Sequence, residues 1–262
     1  MKSWCGMHLV RTALVRGLKV LHISHEMTVE EIEQRYDMMF GAMVSKLEPA
    51  KVEYSKYVLV EGKGKLERYT ETRPSVFEID KVREVRKKVE RFGGELIIRK
   101  YPMGACTMAE IDRYVHYLEN YEGFVPDVFF NDYADIMRSP SASRETRHQL
   151  NEIYIDHKRL ADERNMLVVT VSQARREAIR AARISVKDFA EDIRKAGNID
   201  IGIAVCRTEE QAENDMAVLW VVAGRNVPQD VGCVIGTNLQ IGQFCAWDVP
   251  YRDFNRRGEE DE

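Results

Sequence analysis

Three strand-like segments of the sequence each end in polar side chains that could act on a nucleotide. The first ends in Ser24-His25-Glu26-Met27, the second in Asn131-Asp132-Tyr133 and the third in Ser172-Gln173. In α/β proteins with buried parallel strands, the chemistry lies at the carboxyl ends of those strands. The pattern therefore favours a nucleotide-hydrolysing core.

Each of these strand ends offers one group that phosphoryl transfer needs. Asp132 could organise water around a magnesium ion on the β- and γ-phosphates, and Glu26 could polarise the attacking water as a general base. Gln173 could sense the γ-phosphate through a hydrogen bond. Taken singly, each residue also has an ordinary interpretation, as a turn or N-cap aspartate, a first-turn glutamate and a polar strand terminus.

A phosphate-binding loop ends in Gly-Lys-Ser/Thr and opens directly into a helix, with the lysine on the phosphates and the hydroxyl on magnesium. Lys2-Ser3 opens a helical pattern that leads into a strand, but the sequence begins at Met1 and shows no glycine-rich loop ahead of it. Met-Lys-Ser is also an ordinary start for any chain. We assign Gly62-Lys63-Gly64-Lys65 to a hairpin turn, because it lacks the four-residue gap, the Ser/Thr and a following helix.

The composition indicates a folded protein and narrows its classes. Of 262 residues, 44% are hydrophobic, which is too many for a disordered chain. With 39 basic and 43 acidic residues the chain is not a polycation, although Arg175, Arg176, Arg180 and Arg183 form a local basic patch. No apolar run reaches membrane-spanning length and no signal peptide is present, so we expect a soluble cytoplasmic protein. The five cysteines lack metal-ligand spacing, which predicts reduced thiols.

The periodicity predicts an α/β fold: a mostly parallel central sheet flanked by helices, with an inserted, exposed β-hairpin at about 51–73. Thr28 with Glu31, and Thr107 with Glu110, form capping boxes that predict two helix starts. We expect one domain over 1–250 and an acidic, disordered tail over 251–262. The expected helices are 3–16, 28–44, 79–92, 107–120 and 144–164. The expected strands are 18–24, 95–100, 128–131, 167–171, 199–206, 216–223 and 243–247.

Taken in order, these segments resemble the ATPase domain of DnaB-type replicative helicases, within the RecA-like P-loop ATPases. The resemblance covers most of the chain outside the hairpin and the tail. It is carried by Lys2-Ser3, by 17–28 with its Ser-His-Glu-Met-Thr end, by 128–133, by Thr170-Val171-Ser172-Gln173, by 188–200, and by Ala223-Gly224-Arg225-Asn226-Val227-Pro228.

The resemblance implies ATP and Mg²⁺ as cofactors. Lys2 would contact phosphate, Ser3 and Asp132 would hold magnesium, Glu26 would orient the attacking water, and Gln173 would sense the γ-phosphate.

The resemblance also implies a ring of subunits, a hexamer, around single-stranded DNA. Arg225 would reach the γ-phosphate bound by the neighbouring subunit, or else be a surface arginine at a strand end. The loops that would hold DNA are 138–147 and 175–187. The backbone contacts would come from Arg175, Arg176, Arg180 and Arg183, unless these are ordinary arginines of an exposed helix.

The implied activity couples ATP hydrolysis to movement along single-stranded DNA and to duplex unwinding in replication. Because the sequence begins inside the phosphate-loop motif, we expect a truncated core with weak or no ATP hydrolysis on its own. A wrongly assigned start, a gene interrupted by an intervening element and a degenerate relic all fit that beginning. Two other functions remain open: a RecA-like recombinase or regulatory ATPase, and an ATP-independent single-stranded DNA-binding or assembly subunit.

Overall fold

Four parallel strands form the sheet that carries the predicted site. A computed structural model of the protein describes residues 1–60, 63–139, 145–173, 197–228 and 231–255. The sheet has the order β4-β1-β5-β6, and all three pairings are parallel. Its strands are β1 (Lys19–Ser24), β4 (Glu95–Lys100), β5 (Val128–Asp132) and β6 (Leu167–Thr170). The register places Ser24 opposite Asp132, so the carboxyl ends of β1 and β5 are neighbours.

Five helices flank this sheet, and the sequence explains where two of them begin. Thr28 and Thr107 each accept a hydrogen bond from the backbone N–H three residues on, and the glutamates there reach back, so both predicted capping boxes are confirmed. Gly17, which follows the first helix, has the left-handed φ of +78° expected of a glycine helix stop. The helices are α1 (Lys2–Leu14), α2 (Val29–Gly41), α3 (Ile79–Glu90), α4 (Met108–Tyr121) and α5 (Thr146–Arg164).

The core has two layers because successive side chains of a strand point to opposite faces of the sheet. Phe129 lies in a buried cluster with residues of α4 and α5, such as Ile111 and Leu160. Phe130 faces the other way, into a buried cluster with residues of α1 and α2. Gly6 makes the second contact close, since a Cβ atom there would lie 2.2 Å from Phe130 Cζ. The helix that begins with Lys2 is therefore held directly against β5.

A second, antiparallel sheet has the order β10-β9-β8-β7. Its elements are β7 (Ile201–Cys206), β8 (Met216–Gly224), β9 (Gly232–Gly236) and β10 (Asp248–Pro250), with the short helices α6 (Glu209–Glu213) and α7 (Tyr251–Asn255). The buried residues Ala217 and Ile235 of this sheet pack against Met1, Trp4 and Cys5. Helix α1 thus contacts both sheets.

The strand predicted at 243–247 is wrong. This segment makes only an isolated bridge between Asn238 and Gln243, and the last strands are β9 and β10 on either side of it. Strand β9 begins and ends with glycine, Gly232 and Gly236, and its place is set by pairing with β8. That partner is distant in the sequence, so local propensity does not mark the strand.

The predicted hairpin is present as β2 (Ala50–Val60) and β3 (Lys63–Arg73). It is exposed only toward its tip, where Leu59 is 67% exposed. Near its base, Val52 and Tyr54 are buried. Trp247 Nε1 donates a hydrogen bond of 3.0 Å to the Ser55 carbonyl oxygen and so connects the hairpin to the segment before β10. The expectation of an exposed hairpin therefore holds only for the tip.

Two further expectations concern the chain as a whole. None of the described helices is long and apolar enough to cross a membrane. The end of the predicted acidic tail, 256–262, lies outside the described residues.

Candidate active site

The carboxyl ends of β1 and β5 bring the first two groups of the site together. Asp132 is 2% exposed, and its Oδ1 accepts a hydrogen bond of 3.3 Å from Ser3 Oγ at the start of α1. The Asp132 carbonyl oxygen also accepts from the His25 backbone N–H at 2.9 Å. Burial raises the pKa of the Asp132 carboxyl, while the Ser3 hydrogen bond and the Lys2 charge oppose that shift.

Lys2 places a charged amine beside this carboxylate without a neutralising hydrogen bond. Its Nζ is buried and has no hydrogen-bond partner within the described residues, and it lies 3.6 Å from the centroid of the Tyr133 ring. Burial lowers the pKa of Lys2, against the attraction of Glu26, Asp132 and Asp135. A buried ammonium without hydrogen bonds is costly, so this site favours an anionic ligand that would satisfy it.

Tyr133 joins the remaining predicted residues. Gln173 Nε2 donates a hydrogen bond of 3.2 Å to the Tyr133 hydroxyl, and the Glu26 carboxylate is close enough to accept from the same hydroxyl. Burial, then the negative charge of Glu26, raise the pKa of Tyr133. The structure therefore brings together Lys2, Ser3, Glu26, Asp132 and Gln173. Sequence reasoning assigned no role to Tyr133; its position directly after Asp132 was the available signal.

A buried chain of hydrogen bonds supports the two strand ends from behind. His157 Nδ1 donates to the Ile153 carbonyl oxygen at 2.7 Å, which leaves Nε2 to accept from Asn131 Nδ2 at 2.8 Å. Asn131 Oδ1 in turn accepts from His25 Nε2 at 2.9 Å. Burial lowers the pKa of His157 to about 4, so the chain is uncharged at neutral pH. His25 and Asn131 precede Glu26 and Asp132, and their fixed orientation helps to fix the site.

Asp135 extends this support to the end of β6. Its Oδ2 accepts a hydrogen bond of 2.6 Å from Ser172 Oγ, and its Oδ1 accepts one of 3.0 Å from the Tyr154 hydroxyl on α5. Ser172 directly precedes Gln173, so the backbone that presents Gln173 is connected to the segment after β5. Sequence reasoning did not select Asp135, which lies three residues beyond Asp132.

Arg225 is not part of this cluster. Its guanidinium donates to the Gly197 carbonyl oxygen at 2.9 Å and lies 3.6 Å from an Asp200 carboxylate oxygen, on the exposed surface. The proposed action on a neighbouring subunit stays a prediction. The four arginines predicted to contact DNA lie outside the described residues: Arg175, Arg176, Arg180 and Arg183.

The residues present suit a magnesium-bound nucleotide better than a metal site made by protein alone. The described residues contain no group of three or more His, Cys, Asp or Glu side chains that could hold a metal ion. Magnesium on a nucleotide needs only one or two protein ligands, which Ser3 and Asp132 could supply. Cys5 is a poor participant, because burial raises the pKa of its thiol to about 11.

The parallel sheet with flanking helices, polar strand ends and an inserted hairpin defines a RecA-like α/β fold. Comparison with known proteins confirms the resemblance to the ATPase domain of DnaB-like replicative helicases. The chain is 24% identical over 213 residues to a DnaB-like replicative helicase of Enterobacteria phage T4, across 80% of this chain and 40% of the relative. No family model matches the chain.

Two solved structures share the fold. One is a DnaB-like replicative helicase described with its interactions with primase: TM-score 0.67, 13% identity, covering 92% of this chain and 54% of that one. The other is an ATPase domain solved by itself: TM-score 0.63, 13% identity, covering 88% of this chain and 85% of that one. The chain thus spans less than half of the curated relative and most of the separate ATPase domain. These similarities support a function in the helicase family.

Proposed function

We propose that this chain is the ATPase core of a DnaB-like DNA helicase, which couples ATP hydrolysis to movement along single-stranded DNA and duplex unwinding. The observation that carries the proposal is the buried Lys2 ammonium, which has no hydrogen-bond partner within the described residues and lies beside the Ser3–Asp132 pair. A nucleotide phosphate would supply the missing acceptor, and a magnesium ion would suit the hydroxyl and the carboxylate.

Each residue of the site would then have one task. Lys2 binds the β- and γ-phosphates, and Ser3 with Asp132 holds the magnesium ion, which neutralises charge on the phosphates. Glu26 orients the attacking water and accepts its proton. Gln173 senses the γ-phosphate. Catalysis of this kind consists of positioning and charge stabilisation, so it depends on the rigid strand ends described above.

Nucleotide binding provides the first test. The dissociation constant of a fluorescent ATP analogue with Mg²⁺ would be measured for the 262-residue chain, for Lys2→Ala and for Lys46→Ala, an exposed lysine away from the site. We expect Lys2→Ala to weaken binding by about tenfold or more, as loss of a charge-assisted hydrogen bond would. Lys46→Ala should bind like the unchanged chain. Equal affinity of all three proteins would overturn the assignment of Lys2.

Hydrolysis is tested beside binding. DNA-stimulated ATPase activity would be compared between the 262-residue chain and a version with a glycine-rich loop placed ahead of Lys2, which adds backbone N–H donors for the phosphates. We expect the second version to be faster, and Glu26→Gln to abolish its activity. If neither version hydrolyses ATP, the assignment of Glu26 and Gln173 as catalytic residues is wrong.

Single-stranded DNA and a ring of identical subunits are the partners that belong to this proposal. Substitution of Arg175 and Arg176 by alanine should weaken binding of single-stranded DNA and reduce its salt dependence, whereas Arg83 and Arg91, on and just after α3, serve as the matched control pair. Unwinding of a forked duplex separates a helicase from a recombinase or regulatory ATPase. Salt-sensitive DNA binding that is indifferent to nucleotide would favour an ATP-independent binding subunit instead.

A further inference from the structure

We propose that Tyr133 is a positioning residue that connects Gln173 to Glu26, so that a change at the γ-phosphate sensor reaches the residue that orients water. This inference rests on the proposed function. The three side chains follow three different strands of one sheet: Glu26 lies beyond β1, Tyr133 directly after β5, and Gln173 beyond β6. Because β5 lies between β1 and β6, Tyr133 is placed between the two residues that it would connect.

The direction of the hydrogen bonds carries the argument. A phenol hydroxyl can accept hydrogen bonds but has a single proton to donate. Gln173 Nε2 is the donor to this oxygen, at 3.2 Å, so the phenol proton remains available for an acceptor. The carboxylate of Glu26 can only accept when it is ionised, and it is close enough to take that proton in a hydrogen bond. The order Gln173 to Tyr133 to Glu26 follows.

Such a chain transmits a change because its members polarise one another. An amide that donates to the phenol oxygen strengthens the bond that the phenol makes, and an amide that turns away weakens it. A Gln173 side chain that turns to a γ-phosphate would therefore loosen the hold on Glu26. The ring itself is a fixed point: Tyr133 is 5% exposed, and Lys2 Nζ lies 3.6 Å from its centroid.

Tyr133→Phe separates the hydroxyl from the ring, because it keeps the contact with Lys2. In the version of the chain that hydrolyses ATP, we expect kcat to fall about tenfold while KM for ATP stays within about twofold, the pattern of an interaction that acts on the chemical step. Tyr133→Leu, which also removes the ring from Lys2, should raise KM as well. We further expect Gln173→Ala to cost less in the Tyr133→Phe background than alone. Additive effects would overturn the connection.

A second measurement needs no enzymatic activity. In the 262-residue chain with ¹³Cζ-labelled tyrosine, the resonance that Tyr133→Phe removes is that of Tyr133. We expect it to move at neutral pH in Glu26→Gln and in Gln173→Ala, because either change removes one of its hydrogen bonds. Glu122→Gln is the matched control, since Glu122 accepts a 2.5 Å hydrogen bond from Tyr117 on α4. It should move the Tyr117 resonance and leave that of Tyr133 in place.

The two measurements fail separately. A Tyr133 resonance that ignores both Glu26→Gln and Gln173→Ala overturns the connection, whether or not the chain hydrolyses ATP. Absence of nucleotide binding and hydrolysis in every version, with the resonance still responding to both substitutions, overturns the proposed function and leaves the hydrogen-bonded connection standing.

Discussion

At the scale of single residues, Asp132 shows that the site is arranged for chemistry at a cost to stability. Its carboxyl is buried, and burial raises its pKa above the value in an unfolded chain. The folded state then binds the proton more tightly than the unfolded state. Stability is therefore lost as the pH rises from the ordinary aspartate pKa through the raised one, and the loss persists at neutral pH.

Asp132→Asn should consequently stabilise the fold while it removes magnesium-dependent nucleotide binding. We expect the melting temperature at pH 7.5 to rise by about 2–4 °C, which corresponds to ~1 kcal/mol in a chain of this size. The difference should shrink as the pH is lowered toward 4. Asp80→Asn, at an aspartate side chain that is 94% exposed, is the control and should leave the melting temperature unchanged. A lower melting temperature for Asp132→Asn would contradict the interpretation.

The sequence predicted most of the site but not what holds it together. Glu26, Asp132 and Gln173 could be selected because each ends an apolar run, and that is a local pattern. The role of Tyr133 depends on which strands are neighbours and on where two distant side chains point. No spacing along the chain encodes that arrangement, so only the folded structure shows it.

At the scale of elements, the close approach of α1 to β5 is the contact that places Lys2 and Ser3. Gly6→Ala would put a Cβ atom 2.2 Å from Phe130 Cζ, within a fully buried ring. We expect a loss of about 1–3 kcal/mol, typical of overpacking, and weaker nucleotide binding because the start of α1 is displaced. Gly197→Ala is the matched control, since a Cβ there meets nothing within 4 Å. Urea midpoints of the two variants measure the difference.

Elements with a local signal were predicted well, and those that depend on distant pairing were not. The capping boxes at Thr28 and Thr107 announce α2 and α4 within four residues of sequence, and both helices begin there. The strand expected at 243–247 was wrong because β9 and β10 are determined by partners across a sheet. The same limit applies to the hairpin, whose strands could be predicted but whose contact with Trp247 could not.

The hairpin contact itself can be tested. Trp247→Phe removes the hydrogen bond to the Ser55 carbonyl oxygen while it keeps an aromatic ring near Tyr57. We expect a loss of about 0.5–1.5 kcal/mol in the free energy of unfolding. Leu59→Ala, at the exposed part of the hairpin, should change stability by less than about 0.5 kcal/mol. Equal effects of the two substitutions would show that the base of the hairpin is not held by Trp247.

At the scale of the whole molecule, the chain consists of two sheets that share one helix. Helix α1 packs on the parallel sheet through Met7 and Val10, and on the antiparallel sheet through Trp4 and Cys5. The same helix begins with the two residues that we propose bind phosphate and magnesium. Ligand binding and the association of the two sheets therefore act on a single element.

A ligand that binds the folded chain alone shifts the folding equilibrium by mass action, by about 2.7 kcal/mol at a concentration one hundred times its dissociation constant. In this chain we expect that stabilisation to spread beyond the site. Saturating Mg²⁺ and a non-hydrolysable ATP analogue should slow amide hydrogen exchange in β8 and β9 as well as in α1, and Lys2→Ala should abolish the effect in both places. Protection confined to the first turn of α1 would contradict this. The nucleotide would then act as a mortar between the two sheets, and loss of the γ-phosphate would loosen a surface far from the bond that broke.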